Sequence, residues 1–125
     1  MTEEPIPADV REFILENIDS VAQLEALLLL RDNSERAWDI ASLAQRLYIG
    51  GAEAQDILNG LVVYGLAINE DARFRYAARD ESRQALIDGV ALAYKRYLVP
   101  VTRLIHDKSQ NIRKFADAFR FRKDK

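Results

Sequence analysis

Gln55 and Asn59 stand one helical turn apart, and the side-chain amide of each offers a donor and an acceptor that together can pair bidentately with adenine. Glu53 and Asp56, in the same stretch, can accept from the exocyclic amine of cytosine. Holding a duplex also needs bases that neutralise phosphates, and between Ile49 and Ala72 there is no Lys or Arg. The nearest are Arg46 before this stretch and Arg73, Arg75 and Arg79 after it. Arg46, Gln55, Asn59, Arg73, Arg75 and Arg79 are the side chains here whose chemistry suits base edges and phosphates. A second reading starts from the acids: Glu53, Asp56, Glu70 and Asp71 make a surface suited to a basic protein partner.

Other chemistry has little support. His106 is the only histidine, and the one metal-binding side chain beside it, Asp107, is in the adjacent position and not at helical spacing. The absence of cysteine removes disulfides, thiolate zinc sites and cysteine nucleophiles. No Ser-His-acid order, glycine-rich phosphate loop or paired-carboxylate signature stands out, and Gly50-Gly51 reads as a turn. The expectation is a protein with no catalytic residues, no metal and no cofactor.

The elements that must position these residues are legible from periodicity. Ile40, Leu43, Ala44 and Leu47 recur at helical spacing behind Asp39, which is placed as an N-cap. A tight turn at 49–51 leads to a second helix over 52–64, with Ala54, Ile57, Leu58, Leu61 and Val62 inward and Gly65 as a left-handed terminator. Strand-like runs at 66–69 and 73–77 flank Glu70-Asp71-Ala72, which predicts a hairpin with a three- to five-residue connection. Ahead of these lie a short helix over 8–18 and a helix over 20–31 opened by a Ser20/Gln23 capping box. Residues 36–38 are expected to pair with the hairpin, which makes Trp38 a core residue.

After the hairpin, Asp80 is expected to cap a long helix over 81–107, kinked at Pro100. Ile87, Val90, Tyr94, Tyr97, Val101 and Leu104 alternate by three and four along it. That is a heptad seam, too short for a secure coiled coil but suited to a dimer interface or to packing on a domain. Ser109 is expected to cap a separate basic helix over 110–121, followed by a basic tail over 120–125. These readings give a domain over 1–79 and a helical segment over 80–125.

Half the residues are apolar, with few prolines and glycines, which excludes a disordered or fibrous chain. No apolar run approaches the roughly 18 residues of a membrane span, and the acidic N-terminus is unlike a signal peptide, so a cytoplasmic location is expected. The net charge of −2 conceals an asymmetry. Through Ala72 four bases face fourteen acids, a balance of −10; from Arg73 onward fourteen bases face six acids, a balance of +8.

The run WDIASLAQRLYIGGAEAQDILNGLVVYGLAINEDARFRYA resembles the winged helix-turn-helix superfamily of bacterial transcription regulators, of which the MarR and PadR groups are examples. Ile40, Leu43, Ala44, Leu47, Ile57, Leu58, Leu61, Gly65, Leu66 and Tyr76 carry the likeness, and they are core and turn positions. The resemblance implies a mostly α fold with a small β-hairpin wing, extra N-terminal helices and a long C-terminal dimerisation helix. It further implies a homodimeric transcription regulator whose 52–64 helix enters the major groove while the 70–75 hairpin touches the neighbouring backbone. That Arg46, Gln55, Asn59, Arg73, Arg75 and Arg79 meet double-stranded DNA is likewise what the resemblance implies.

Overall fold

The computed structural model describes the backbone of residues 5–123 and the side chains of residues 5–115. It is mostly helical with one small antiparallel hairpin. In order, α1 (Ala8–Asn17), α2 (Val21–Asp32), α3 (Ile40–Leu47) and α4 (Gly51–Val63) precede β1 (Ala67–Glu70) and β2 (Arg73–Tyr76), and α5 (Glu81–Arg96) and α6 (Leu98–Lys123) follow.

The helix ends follow from capping chemistry. Ser20 opens α2 by accepting from the Gln23 N–H at 3.0 Å. The return half of the expected box reaches one residue further back, because Gln23 Oε1 accepts from the Asp19 N–H at 2.8 Å. Gln23 Nε2 donates to the Asn17 carbonyl, so this side chain can be buried with its polar atoms satisfied and pins the α1–α2 corner. Asp39 opens α3 through a full capping box with Ser42, its carboxylate accepting from the Ser42 N–H at 2.7 Å. At the end of α4, Gly65 takes φ 75°, Gly65 N–H donates to the Val62 carbonyl and Leu66 N–H to that of Leu61. This is a Schellman closure that needs a residue free to be left-handed.

The hairpin is tighter than its sequence indicates. Glu70 pairs with Arg73, so the connection is only Asp71-Ala72, with φ 54° and 65°, and not the expected three to five residues. A two-residue turn with both residues left-handed matches the strand twist, and Asp tolerates the first position while Ala is unfavourable at the second. The expected strand at 36–38 contracts to one bridge, in which Trp38 and Phe74 exchange two 2.7 Å backbone bonds. Trp38, Ala67 and Phe74 are turned inward and buried.

Two expectations for the C-terminal part are corrected. The helix expected over 81–107 is two helices meeting at Tyr97, and α6 continues from Leu98 to Lys123 with Ser109 inside it and no separate helix over 110–121. Pro100 lies in the first turn of α6, where a backbone N–H has no intrahelical acceptor to lose, so it starts a helix here where the sequence predicts a kink within one. The side chains of the basic tail over 120–125 lie outside the described residues.

Both helices complete the core. Ile87, Val90, Ala93, Val101 and Ile105 are buried in one cluster with Val10, Phe13, Ile14, Leu24 and Leu27. The approach of α5 to α1 is close: a Cβ at Gly89 would lie 2.7 Å from Val10 Cγ2. Arg31 Nε meets Asp88 at 2.9 Å, Arg83 donates to the Tyr64 carbonyl and to Asn17 Oδ1, and Lys108 Nζ donates to the Ile18 carbonyl at 2.7 Å. Among the described residues no helix is long and apolar enough to cross a membrane.

Candidate nucleic-acid interface

The amphipathic pattern of α4 decides what it offers to solvent. Ala54, Ile57, Leu58 and Leu61 are buried, which leaves Ala52, Glu53, Gln55, Asp56, Asn59 and Val63 exposed. Gln55 and Asn59 thus share an outward stripe, as their spacing predicts, with their amides making no described hydrogen bond to the rest of the chain. Glu53 sits in the first turn, where the helix dipole favours a carboxylate.

The arginines lie on the elements beside α4. Arg46 is exposed in the last turn of α3, the helix packed against α4. Arg73 and Arg75 alternate with buried Phe74 and so project from the same outer face of β2, Arg75 opposite Ile68. Arg79 is exposed in the link to α5, its guanidinium close to Gly65 at the end of α4. The ion pairs among the described residues are Arg31 with Asp32 and Asp88, and Lys108 with Asp19, so none of these four arginines is within ion-pair distance of a described carboxylate. The structure therefore brings Gln55 with Asn59 on one helix and Arg73 with Arg75 on one strand, with Arg46 apart on α3.

Local electrostatics agree with this placement. The Asp39 carboxyl is held below its ordinary value, first because it accepts from the Ser42 N–H, with the Ser42 hydroxyl and then the nearby charges of Arg73 and Arg36 adding to the effect. Asp88 is lowered chiefly by its hydrogen bond to Arg31. Burial, reinforced by the bond its hydroxyl donates to Asp19 at 2.9 Å, raises Tyr64.

The seam assigned to a dimer faces inward. Ile87, Val90 and Val101 are enclosed by α1 and α2 of the same chain, Leu104 is partly buried against that core, and the Tyr94 hydroxyl donates to Glu25 at 3.1 Å. Tyr97 is half-buried at the α5–α6 junction. The reason is that α1 and α2 expose a wide apolar surface that α3, α4 and the hairpin leave uncovered, and the stripe on α5 and α6 fills it. What these helices leave exposed instead is Leu92, Leu98 and Val99 near their junction, with Ile112 and Phe115 further along α6.

Val63 is 81% exposed at the end of α4, on the solvent side where its spacing places it. Two features escaped the sequence. The Arg36 guanidinium lies over the Trp38 ring, 3.7 Å from its centroid. Tyr48, in the turn between α3 and α4, is 94% exposed and left-handed at φ 58°. The Trp two residues after Arg36 and the Gly-Gly after Tyr48 were the available signals, but neither spacing specifies a stack or a left-handed tyrosine. Comparison with family models, curated proteins and solved structures finds no match to this chain.

Proposed function

We propose that this chain is a winged helix-turn-helix module that binds double-stranded DNA as a transcription regulator, held chiefly by arginines beside its reading helix and not by the helix itself. The observation that carries this reading is the set of exposed arginines without described carboxylate partners, Arg46 on α3 and Arg73, Arg75 and Arg79 on and after the hairpin, around a helix whose outward stripe offers Gln55 and Asn59. With α4 in the major groove, the hairpin and α3 address the phosphates on its borders while the two amides address base edges. Glu53 and Asp56 disfavour loose binding wherever a phosphate lies near them, so they sharpen the requirement for a fitting site. A homodimer on a two-fold site is joined, in this reading, through Leu92, Leu98 and Val99 in place of the buried seam.

The test is selection of bound DNA from a random-sequence duplex pool at about 50 and 200 mM salt. Enrichment of a defined site, with affinity falling steeply as salt rises, is expected; no binding at either salt overturns the reading. One observation favours a second reading, in which the same face binds a protein: Val63 and Ile68, exposed by 81% and 46%, present apolar area that DNA phosphates do not use.

A further inference from the structure

We infer that the depression lined by Arg36, Trp38, Ser42, Gln45, Arg46 and Tyr48 is a binding site for a phosphate group. It lies where α3 meets the strand-like segment at Trp38, apart from the outward stripe of α4. In the part of the chain through Ala72, where fourteen acids face four arginines, two of those four line this one depression and no carboxylate does. Of the other two, Arg31 is held by Asp32 and Asp88, and Arg11 lies on α1. Glu35 and Asp39 stand outside the lining: Glu35 with Asp32 lines a separate depression that Arg36 also borders, Glu25 with Asp32 lines another that Arg46 and Tyr48 border, and the Asp39 carboxylate, which feels the Arg36 charge, is engaged by the Ser42 N–H.

The donors are arranged in advance. The Arg36 guanidinium is held over the Trp38 ring, its Cζ 3.7 Å from the centroid, and its paired N–H groups are of the kind that match an oxyanion. Neither Arg36 nor Arg46 has an ion-pair partner among the described residues, and the Gln45 amide and Tyr48 hydroxyl make no described hydrogen bond. Trp38 Nε1, fully buried, also has no partner among the described residues. Tyr48, also in the lining, closes α3 in a left-handed conformation held by the bonds its N–H makes to the Ala44 and Gln45 carbonyls, and 94% of it is exposed.

Two sources supply such a group: the phosphodiester backbone of a duplex, in which case the site rests on the DNA reading above, or a small phosphorylated molecule. The test uses the full chain and its single tryptophan, which gives one indole N–H signal in a nitrogen–proton correlation spectrum. Wild type, Arg36→Gln/Arg46→Gln and the control Arg11→Gln are titrated with inorganic phosphate, with pyrophosphate and with a random-sequence duplex, after circular dichroism shows equal folding. Saturable movement of the indole signal is expected, with affinity at least about tenfold weaker in the double variant and unchanged in the control. Movement at lower concentration of duplex than of free ion assigns the backbone as the source; movement with the free ions alone keeps the site and assigns a small phosphorylated ligand. Duplex binding without indole movement overturns the site while leaving the DNA reading standing. No saturable movement with any probe, or equal affinity in the double variant and the control, also overturns it.

Discussion

The outward stripe of α4 and the flanking pair formed by α3 and the hairpin come from neighbouring stretches of chain and differ in chemistry. The stripe carries two amides, two carboxylates and an exposed valine, with no base; the flanks carry Arg46, Arg73 and Arg75, none of them in a described ion pair. Both are solvent-facing backs of the same small core. The difference teaches that the element whose position is most prescribed by the fold need not hold the charge that gives affinity. Long-range attraction follows net charge on the approaching surface, whereas discrimination follows donors and acceptors at short range.

The inner and outer sides of α4 give the sharpest contrast in stability. Leu61→Ala removes a wholly buried side chain and is expected to lower unfolding free energy by about 2 to 5 kcal/mol in urea titration. Asn59→Ala, two residues away on the exposed side, is expected to stay within about 0.5 kcal/mol and to change only the preferred DNA site. Equal destabilisation by the two would break the division of α4 into a buried structural side and a solvent-facing side.

A smaller effect concerns the hairpin. Ala72→Gly relieves a left-handed alanine at φ 65°, and the gain, offset in part by the greater chain entropy of glycine, is expected to be about 0.5 to 1 kcal/mol of added thermal stability with Arg73 and Arg75 left in place. Loss of stability would mean that the turn is not the two-residue one described.

The smallest expected effect lies on the other flank. The folded-state carboxyl of Asp39 is lowered, so its capping of α3 contributes fully above its ordinary value of 3.8 and is lost as pH falls through the lower folded value. Asp39→Asn keeps a capping side chain and removes this dependence, so acid-unfolding curves of variant and wild type should converge toward the acid end. Curves that stay parallel throughout would exclude Asp39 as a contributor.

The legibility of these regions also differed. Helical spacing placed α1 to α4, and Asp39 marked the start of α3, Gly65 the end of α4 and Asp80 the start of α5, because caps are local and depend on residue type. Trp38 was readable as core for the same reason of size and apolarity. The α5–α6 break was not, since Pro100 is compatible with a kink and with a helix start, and only packing on α1 and α2 selects between them. The seam from Ile87 to Leu104 showed a buried face correctly but not what buries it; a period of three and four is the same whether the cover is a second chain or the first. Among the site residues, Gln55 and Asn59 could be put on one exposed face from spacing alone. The Arg36–Trp38 stack and the left-handed Tyr48 depend on how α3 meets β2 and α4, which no local pattern encodes.

The most direct test of the proposed division between a reading helix and flanking arginines is the salt dependence of duplex binding for wild type, Arg73→Gln/Arg75→Gln and Gln55→Ala/Asn59→Ala. The arginine pair is expected to weaken binding to every sequence alike and to reduce the slope of log affinity against log salt by about 2, roughly one unit for each phosphate left without its arginine. The amide pair should leave the slope unchanged and alter the preferred site. An unchanged slope after loss of both arginines would contradict the account.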